Sequence, residues 1–322
     1  MVSEVSPGVE APSPLLSVVV ASYNRWPLVA ETIESALAQT MEGAEIILVD
    51  DGSTDGTADE VEARYTSVRV IRQENTERGA AYNHGARAST GAYIGVLGSD
   101  DVWEPWHLEQ FAAVRAEHPE AQVFGGRAVL WESATGRTQL HPDFDVATVK
   151  RQALLGAAIA PQAMVVSREA FLAVGGFPED RSTAASEDWV LLLKLLNRYE
   201  VVRLPRPSVR IREHPGRSMA NLAKISESRQ ATTRLILDED LLGFELDEDF
   251  RRLVQAGTHR LCAAHHYGAG EMREARARIV QVWRTVGLPA GLKWTGRLWL
   301  QTWLGSTGSS AIRRVKKRLT WT

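Results

Sequence analysis

Short apolar runs alternate with helical patterns over residues 16–97, and that alternation leaves the chain very few ways to fold. The runs at 16–21 (LSVVVA), 45–49 (EIILV), 68–72 (VRVIR) and 92–97 (AYIGVL) are each too short for a stable helix. Apolar runs of this length, bounded by turn residues, mark strands buried on both faces of a parallel sheet. Between them lie helical patterns. One runs from Pro27 to about Gln39 with Leu28, Val29, Ile33, Ala36 and Leu37 on its apolar side, one precedes Val68, and one covers 77–88. Pro27 suits a first helical turn, where a missing N–H costs nothing. Strand–helix alternation with short connections predicts a doubly wound α/β sheet.

From Ala121 the rhythm changes. Residues 122–131 and the stretch after Gly136 read as a hairpin or irregular strands, 146–155 as a helix, and 162–166 as a further strand. Gly175-Gly176-Phe177 is a turn, 186–197 a strongly apolar helix, and 201–211, broken by Pro205 and Pro207, a pair of edge strands. Beyond Gly216 only helical patterns remain, at 219–237, 248–267 and 271–286, followed by a basic tail. The expected organisation is a disordered tail over 1–14, an α/β domain over 15–215 and a helical C-terminal region over 216–322.

Apolar residues at 44% and charged residues at 24% are the proportions of a folded water-soluble chain. The single cysteine, Cys262, permits no internal disulfide framework and fits a reducing compartment. No apolar run approaches the ~18–20 residues that span a bilayer, and the first residues lack the basic start and apolar core of a signal peptide. A cytoplasmic location is expected, and nucleic acid is not expected as a partner. The net charge of −3 conceals an asymmetry: residues 283–322 hold eight Lys or Arg and no acid, so the remainder carries −11. In that tail Trp294, Leu298, Trp299 and Trp303 fall near one helix face, ahead of Arg313, Arg314, Lys316, Lys317 and Arg318. Such a helix fits an anionic membrane surface at the inner face of the cell membrane. The same Trp stripe equally fits packing against the rest of the protein.

Two acidic clusters stand where open α/β sheets gather ligands, outside the carboxyl ends of strands. In VDDGSTDGT, residues 49–57, Asp51 can accept hydrogen bonds from a base or ribose and Asp55 can cap the next helix, although a plain glycine turn accounts for Asp50-Asp51-Gly52 as well. After the fourth strand come Asp100 and Asp101. A hard cation bridging a phosphate needs only one or two protein carboxylates; alternatively Asp101 caps a helix starting near Pro105. The turn after the first strand, Ser22-Tyr23-Asn24-Arg25, contains no glycine, so a dinucleotide fingerprint is absent, as is a P-loop. Asp100 and Asp101 with a metal are then the available means of holding phosphate.

In order and spacing, SVVVASYNR, EIILVDDGSTDGT, STGAYIGVLGSDDVW, VGGFPED, SEDWVLLLKLL and IREHPGRSM resemble the family-2 glycosyltransferases of GT-A fold, and among them bacterial cell-surface polysaccharide enzymes. The resemblance covers about residues 15–219. It implies a doubly wound, mostly parallel sheet with a C-terminal helical extension. It also implies inverting transfer of a sugar from a nucleotide-sugar, by default UDP-linked, to the hydroxyl of a saccharide or lipid-linked acceptor, with Mn²⁺ or Mg²⁺ as cofactor. Carried over by position, it implies nucleotide contacts at Ala21, Tyr23, Asp51 and Arg78. Asp100 and Asp101 take the metal and ribose motif, Asp188 the catalytic base, and His214 a reach back to the metal or diphosphate.

This sequence departs from the family at two places. Many members have Asp-x-Asp-Asp, where the first acid is here Gly98, and Lys194 stands where an arginine is common, losing its bidentate fork. Adjacent residues on an extended chain point opposite ways, so Asp101 is expected to take the metal and Asp100 the ribose. A diphosphate leaves readily once a cation offsets its charge, so a single base suffices. Asp188 opens an apolar helix, where the dipole favours its ionised form, though first-turn acids are also common for structure alone. A sugar-nucleotidyltransferase would want a glycine-rich phosphate loop after the first strand, which residues 22–25 do not provide. A non-catalytic nucleotide-sugar-binding protein would have lost the base or the metal acids, and both are present.

Overall fold

The computed structural model describes residues 14–141, 143–156, 159–214 and 221–319, those from 304 onward by backbone alone. Residues 1–13 of the expected disordered tail therefore lie outside the described residues, as do the side chains of Arg313, Arg314, Lys316, Lys317 and Arg318.

The alternation builds the sheet as the apolar runs dictate. β1 (Leu16–Ser22), α1 (Leu28–Leu37), β2 (Ala44–Asp50), α2 (Thr57–Arg64), β3 (Val68–Arg72), α3 (Arg78–Ala88) and β4 (Tyr93–Gly98) follow in order. β1 is buried along its whole length, with Val18 and Val20 in one core and Val19 in the other, because successive side chains point to opposite faces. On α1 the buried face is Val29, Thr32, Ile33 and Ala36; Leu37, expected inside, is 43% exposed. Thr32 takes an inward place because its hydroxyl finds a partner there, Oγ1 donating to the Asp101 carbonyl at 2.8 Å.

The changed rhythm after Ala121 becomes a second layer of strands. Beyond β5 (Val102–Trp103) and α4 (His107–Glu117) come β6 (Val123–Gly125), β7 (Ala128–Glu132), β8 (Arg137–Leu140) and α5 (Val149–Leu154). β9 (Met164–Ser167), α6 (Arg168–Ala173), α7 (Glu187–Arg198), β10 (Val201–Arg203) and β11 (Val209–Glu213) complete the α/β part. The main sheet is seven-stranded, ordered β10-β6-β9-β4-β1-β2-β3. It is mostly parallel, but β9 runs antiparallel to both β4 and β6, so the sheet is mixed. A four-stranded sheet, β5-β11-β7-β8, stands beside it. β10 is an edge strand as expected, whereas β11 is inner, paired parallel to β7 and antiparallel to β5. Pro205 and Pro207 interrupt the chain between these strands and do not block pairing in either. α5 starts three residues later than expected because Asp145 turns the chain first, accepting from Ala147 N at 3.1 Å and Thr148 Oγ1 at 3.2 Å.

The helical region comprises α8 (Leu222–Asp238), α9 (Glu248–Gly268), α10 (Met272–Val286) and α11 (Leu288–Leu319). Asn221 and Asp247 cap α8 and α9 through their side chains. These helices share one hydrophobic core with the α/β part: Ile236, Leu242, Phe250, Leu253 and Val254 join Val149, Leu154, Trp189 and Leu193. α11 folds back on α10, with the Trp283 and Trp299 ring centroids 4.7 Å apart and Trp283 Nε1 donating to Thr295 Oγ1. Arg276 of α10 lies over the Trp303 ring at 3.9 Å. Among the described residues no helix is long and apolar enough to cross a membrane.

Candidate active site

The carboxyl ends of β1, β2 and β4, the tip of β11 and the first turns of α3 and α7 meet at one cleft. Its inner part holds about 300 Å³ and is lined by Arg78, Asp100, Asp101, Asp188, Trp189 and Arg229, among others. Ala21, buried at the end of β1, pairs in register with Val49 on one side and Gly98 on the other. Tyr23 follows it and is 50% exposed, leaving its ring free to stack. The loop after β2 is tied to the loop after β1 by Asp55, which accepts from Trp26 N at 3.1 Å and from Thr57 N at 3.0 Å. Asp55 thus fixes the entry to α2 without being its N-cap, which is Gly56.

Asp51 is buried, and its Oδ1 accepts from Gln73 Nε2 at 2.8 Å and Thr76 N at 2.9 Å. No hydrogen bond within the described residues engages its Oδ2. Arg78 opens α3 and reaches across to Glu187, with Nε to Oε1 at 2.7 Å. That ion pair joins the start of α3 to the Glu-Asp pair at the start of α7. Glu187 is buried and its Oε2 has no partner among the described residues, a feature invisible in the sequence, where only its neighbour Asp188 stands out.

Asp100 and Asp101 part company. Asp101 is buried with both oxygens engaged: Gln162 Nε2 donates to Oδ2 at 2.7 Å, and Arg212 N to Oδ1 at 3.0 Å. It caps no helix, since β5 follows it and α4 begins at His107 with no side-chain cap. Asp100 instead meets His214, Oδ2 to Nε2 at 2.9 Å, with both side chains 17% exposed. Asp101, expected to take the metal, is thus enclosed by protein donors, while Asp100, expected to take the ribose, pairs with His214. Gly98 makes room for this. A Cβ there would lie 2.5 Å from Asp101 Oδ2, so the space where many relatives carry an acid is filled by Asp101 itself.

Arg212, which sequence reasoning missed, braces this turn. Its Nε donates to the Asp100 carbonyl at 3.0 Å, its Nη2 pairs with Glu31, and it lies over Trp131 at 4.5 Å. Gln162 reads in the sequence only as the start of a strand. Neither has a local signal, because each acts across more than sixty positions of sequence.

Among the described residues no group of three or more His, Cys, Asp or Glu is set to hold a metal. A carboxylate beside an imidazole still suits a divalent cation whose remaining sites are taken by ligand oxygens and water, and it suits Mn²⁺ better than Mg²⁺. Asp100 and His214 fit that description.

Asp188 lies in the first turn of α7, partly buried, with Oδ1 accepting from its own helix at Trp189 N, 2.8 Å. Burial is the largest influence on it and pushes its pKa up; Glu187 adds to this, while Arg78 and Arg229 oppose it. The helix start does not leave it an ordinary acid, as the dipole argument alone would have it. Trp189 is buried and bonded through Nε1 to the Ala153 carbonyl at 2.7 Å; Trp103 is buried and stacked on His107. Both indoles are thus core rather than open sugar platforms. The Gly175-Gly176 turn is closed by Asn83, which exchanges two 2.9 Å hydrogen bonds with Phe177. A Cβ on Gly176, at φ +62, would meet Asn83 Oδ1 at 2.3 Å, so turn closure explains this glycine.

Comparison with known proteins fits this geometry. Residues 17–172 match the family described as glycosyl transferase family 2. The putative glycosyltransferase EpsE of Bacillus subtilis is 30% identical over 187 residues, covering 56% of this chain and 66% of that protein. EpsJ of the same organism, an uncharacterized glycosyltransferase, is 42% identical over 135 residues, 41% of this chain and 39% of its own. The chain spans only 22–39% of the length of several such relatives. In fold, the chain resembles Staphylococcus aureus TarS 1-349 in complex with UDP-GlcNAc, with a TM-score of 0.55 at 18% identity over 84% of this chain and 81% of that one. It equally resembles the mannosyltransferase PcManGT from Pyrobaculum calidifontis in complex with GDP-Man and Mn²⁺, at 0.55 and 20% identity over 92% and 83%. The mixed α/β sheet with its helical extension is a GT-A-type fold, and residues 17–172 within it belong to glycosyl transferase family 2.

Proposed function

We propose that this protein is an inverting glycosyltransferase that moves a sugar from a nucleotide-sugar to a hydroxyl of a saccharide or lipid-linked acceptor in bacterial surface polysaccharide or glycolipid synthesis. The observation that carries the reading is the placement of the Asp100–His214 pair and Asp188 in one cleft at the carboxyl end of the sheet. Tyr23 and Asp51 would hold the base and ribose, beside Ala21 at the end of β1. Arg78 is already charged and placed by Glu187, and would face the donor from α3. Asp100 and His214 would hold Mn²⁺ or Mg²⁺, with Asp101 as the brace of their turn. The cation supplies charge compensation to the diphosphate as it leaves, so no acid is needed there.

Asp188 would accept the proton of the acceptor hydroxyl as its oxygen attacks the anomeric carbon opposite the diphosphate, which inverts configuration. A carboxylate whose pKa is raised by burial takes that proton more readily than an exposed one. Leu288, Leu292, Leu300 and Trp303 remain exposed along α11, which supports docking of this helix on an anionic membrane surface presenting a lipid-linked acceptor.

The test is a panel of UDP-, GDP- and dTDP-sugars incubated with the protein and Mn²⁺, following release of the nucleoside diphosphate. A uridine donor is the first expectation. Release that requires Mn²⁺ and disappears in Asp188→Asn supports the reading; no release from any donor overturns it.

A further inference from the structure

Arg229 lines the cleft as a cation with no hydrogen-bonded partner among the described residues. It lies on α8, outside the residues that match the family, and is only 6% exposed. A guanidinium carries five N–H donors, yet no hydrogen bond within the described residues engages any of them, and Nε is buried with none. Its contact is with an aromatic face: the guanidinium carbon sits 3.8 Å from the centre of the Trp189 ring. Burying a charge with no opposing hydrogen-bonded charge is costly, and stacking on an indole returns only part of that cost. A side chain held at such a disadvantage, lining a cleft, is explained by an anion that enters the cleft.

The position says which anion. Asp188 feels two cations, Arg78 at the start of α3 and Arg229 on α8. The carboxylates felt at Arg229 are Asp188 and Glu187, not the Asp100–Asp101 pair where the donor diphosphate would lie. Gly156 faces it, a Cβ built there lying 4.0 Å from Nη1, at van der Waals distance, and both residues line the cleft. The walls beside it, Ile225, Leu192 and Leu261, are apolar and offer no competing charge.

We propose that Arg229, seated on Trp189, binds an oxyanion of the acceptor, a phosphate or a carboxylate, close to the hydroxyl that Asp188 deprotonates. This deepens the transferase reading and rests on Asp188 as the base. Arg229 makes a bidentate, charge-assisted contact with that group, which selects anionic acceptors over neutral ones and sets the attacking hydroxyl against Asp188.

The test uses the full chain with Mn²⁺ and UDP or GDP filling the donor site. Inorganic phosphate and acetate are titrated by NMR at constant ionic strength, in the wild type, Arg229→Met and Arg229→Lys. One of the two anions binds the wild type, and its Kd rises about tenfold or more in Arg229→Met, with Arg229→Lys between. Phosphate or acetate, whichever binds, names the class. Arg229→Met unfolds at no lower temperature than the wild type, since it removes an unpaired buried charge. Its affinity for UDP or GDP with Mn²⁺ is unchanged. Three results each overturn the proposal: anion binding equal in wild type and Arg229→Met, loss of nucleoside diphosphate affinity in that variant, or no binding of either anion to the wild type. If no nucleoside diphosphate binds at all, the transferase reading fails, and the anion titration still reads Arg229 by itself.

Discussion

Asp188 lies where burial and catalysis pull in opposite directions. Its folded pKa is raised, so the folded protein holds the proton to higher pH than the unfolded chain does. Where both states are ionised, above the raised value, the penalty for the buried charge is fully present, and it fades as pH falls through that value. Asp188→Asn is therefore expected to leave the melting temperature at pH 7 unchanged or raise it, while turnover falls by ~10²–10⁴-fold. Nucleoside diphosphate affinity stays near wild type. In the wild type the acidic limb of kcat lies above the ~3.9 of an ordinary aspartate. Thermal melts beside a pH–rate profile check this; a variant that melts lower with normal turnover makes Asp188 a structural acid. Gly98 offers a second test of a single position. A methyl there lies 2.5 Å from Asp101 Oδ2 and 3.2 Å from Asp100 Oδ1. Gly98→Ala is expected to cost about 1–3 kcal/mol in denaturant unfolding, as overpacking does, and to weaken Mn²⁺-dependent nucleotide binding as the turn shifts.

β11 is the element that completes the cleft, since it delivers His214 and carries Arg212. Arg212→Ala removes hydrogen bonds to the Asp100 carbonyl and Glu31 and the stacking on Trp131. Glu31 is half exposed, so the ion pair itself counts for little; loss of the charged hydrogen bond to the turn costs about 1.5–3 kcal/mol. Chemical denaturation should show that loss, together with a higher Kd for nucleoside diphosphate with Mn²⁺. The strands β1 to β4 and the helices α7, α9 and α10 were legible in the sequence because their apolar periodicity is local. The second sheet was not: β7 meets β11 across eighty positions, and nothing in either strand names its partner. The same limit hid the partners of Asp100 and Asp101. Strand alternation predicted that they point apart, but the occupant of the space above Gly98 depended on Gln162 and Arg212, which only the folded chain brings near.

In the protein as a whole, the helical region does two things. It closes the cleft from one side through Ile225, Arg229 and Leu261, and it turns an apolar strip of α11 outward. Trp283 and Trp299 of the Trp-rich end pack on each other, so part of that stripe is internal. The rest predicts that the full chain cosediments with anionic vesicles more than with neutral ones, and that Leu292→Glu with Leu300→Glu reduces binding; equal binding by both would leave α11 as ordinary packing. Everything else hangs on the proposed donor site, with Asp100 and His214 as its metal-holding pair. Calorimetric titration of UDP and GDP with and without Mn²⁺, in the wild type and in Asp100→Ala, probes that site without needing to know the acceptor. At least one nucleotide is expected to bind the wild type only with Mn²⁺, and Asp100→Ala to lose this binding with an unchanged melting temperature. Binding that needs no metal, or that survives undiminished in Asp100→Ala, would refute the site.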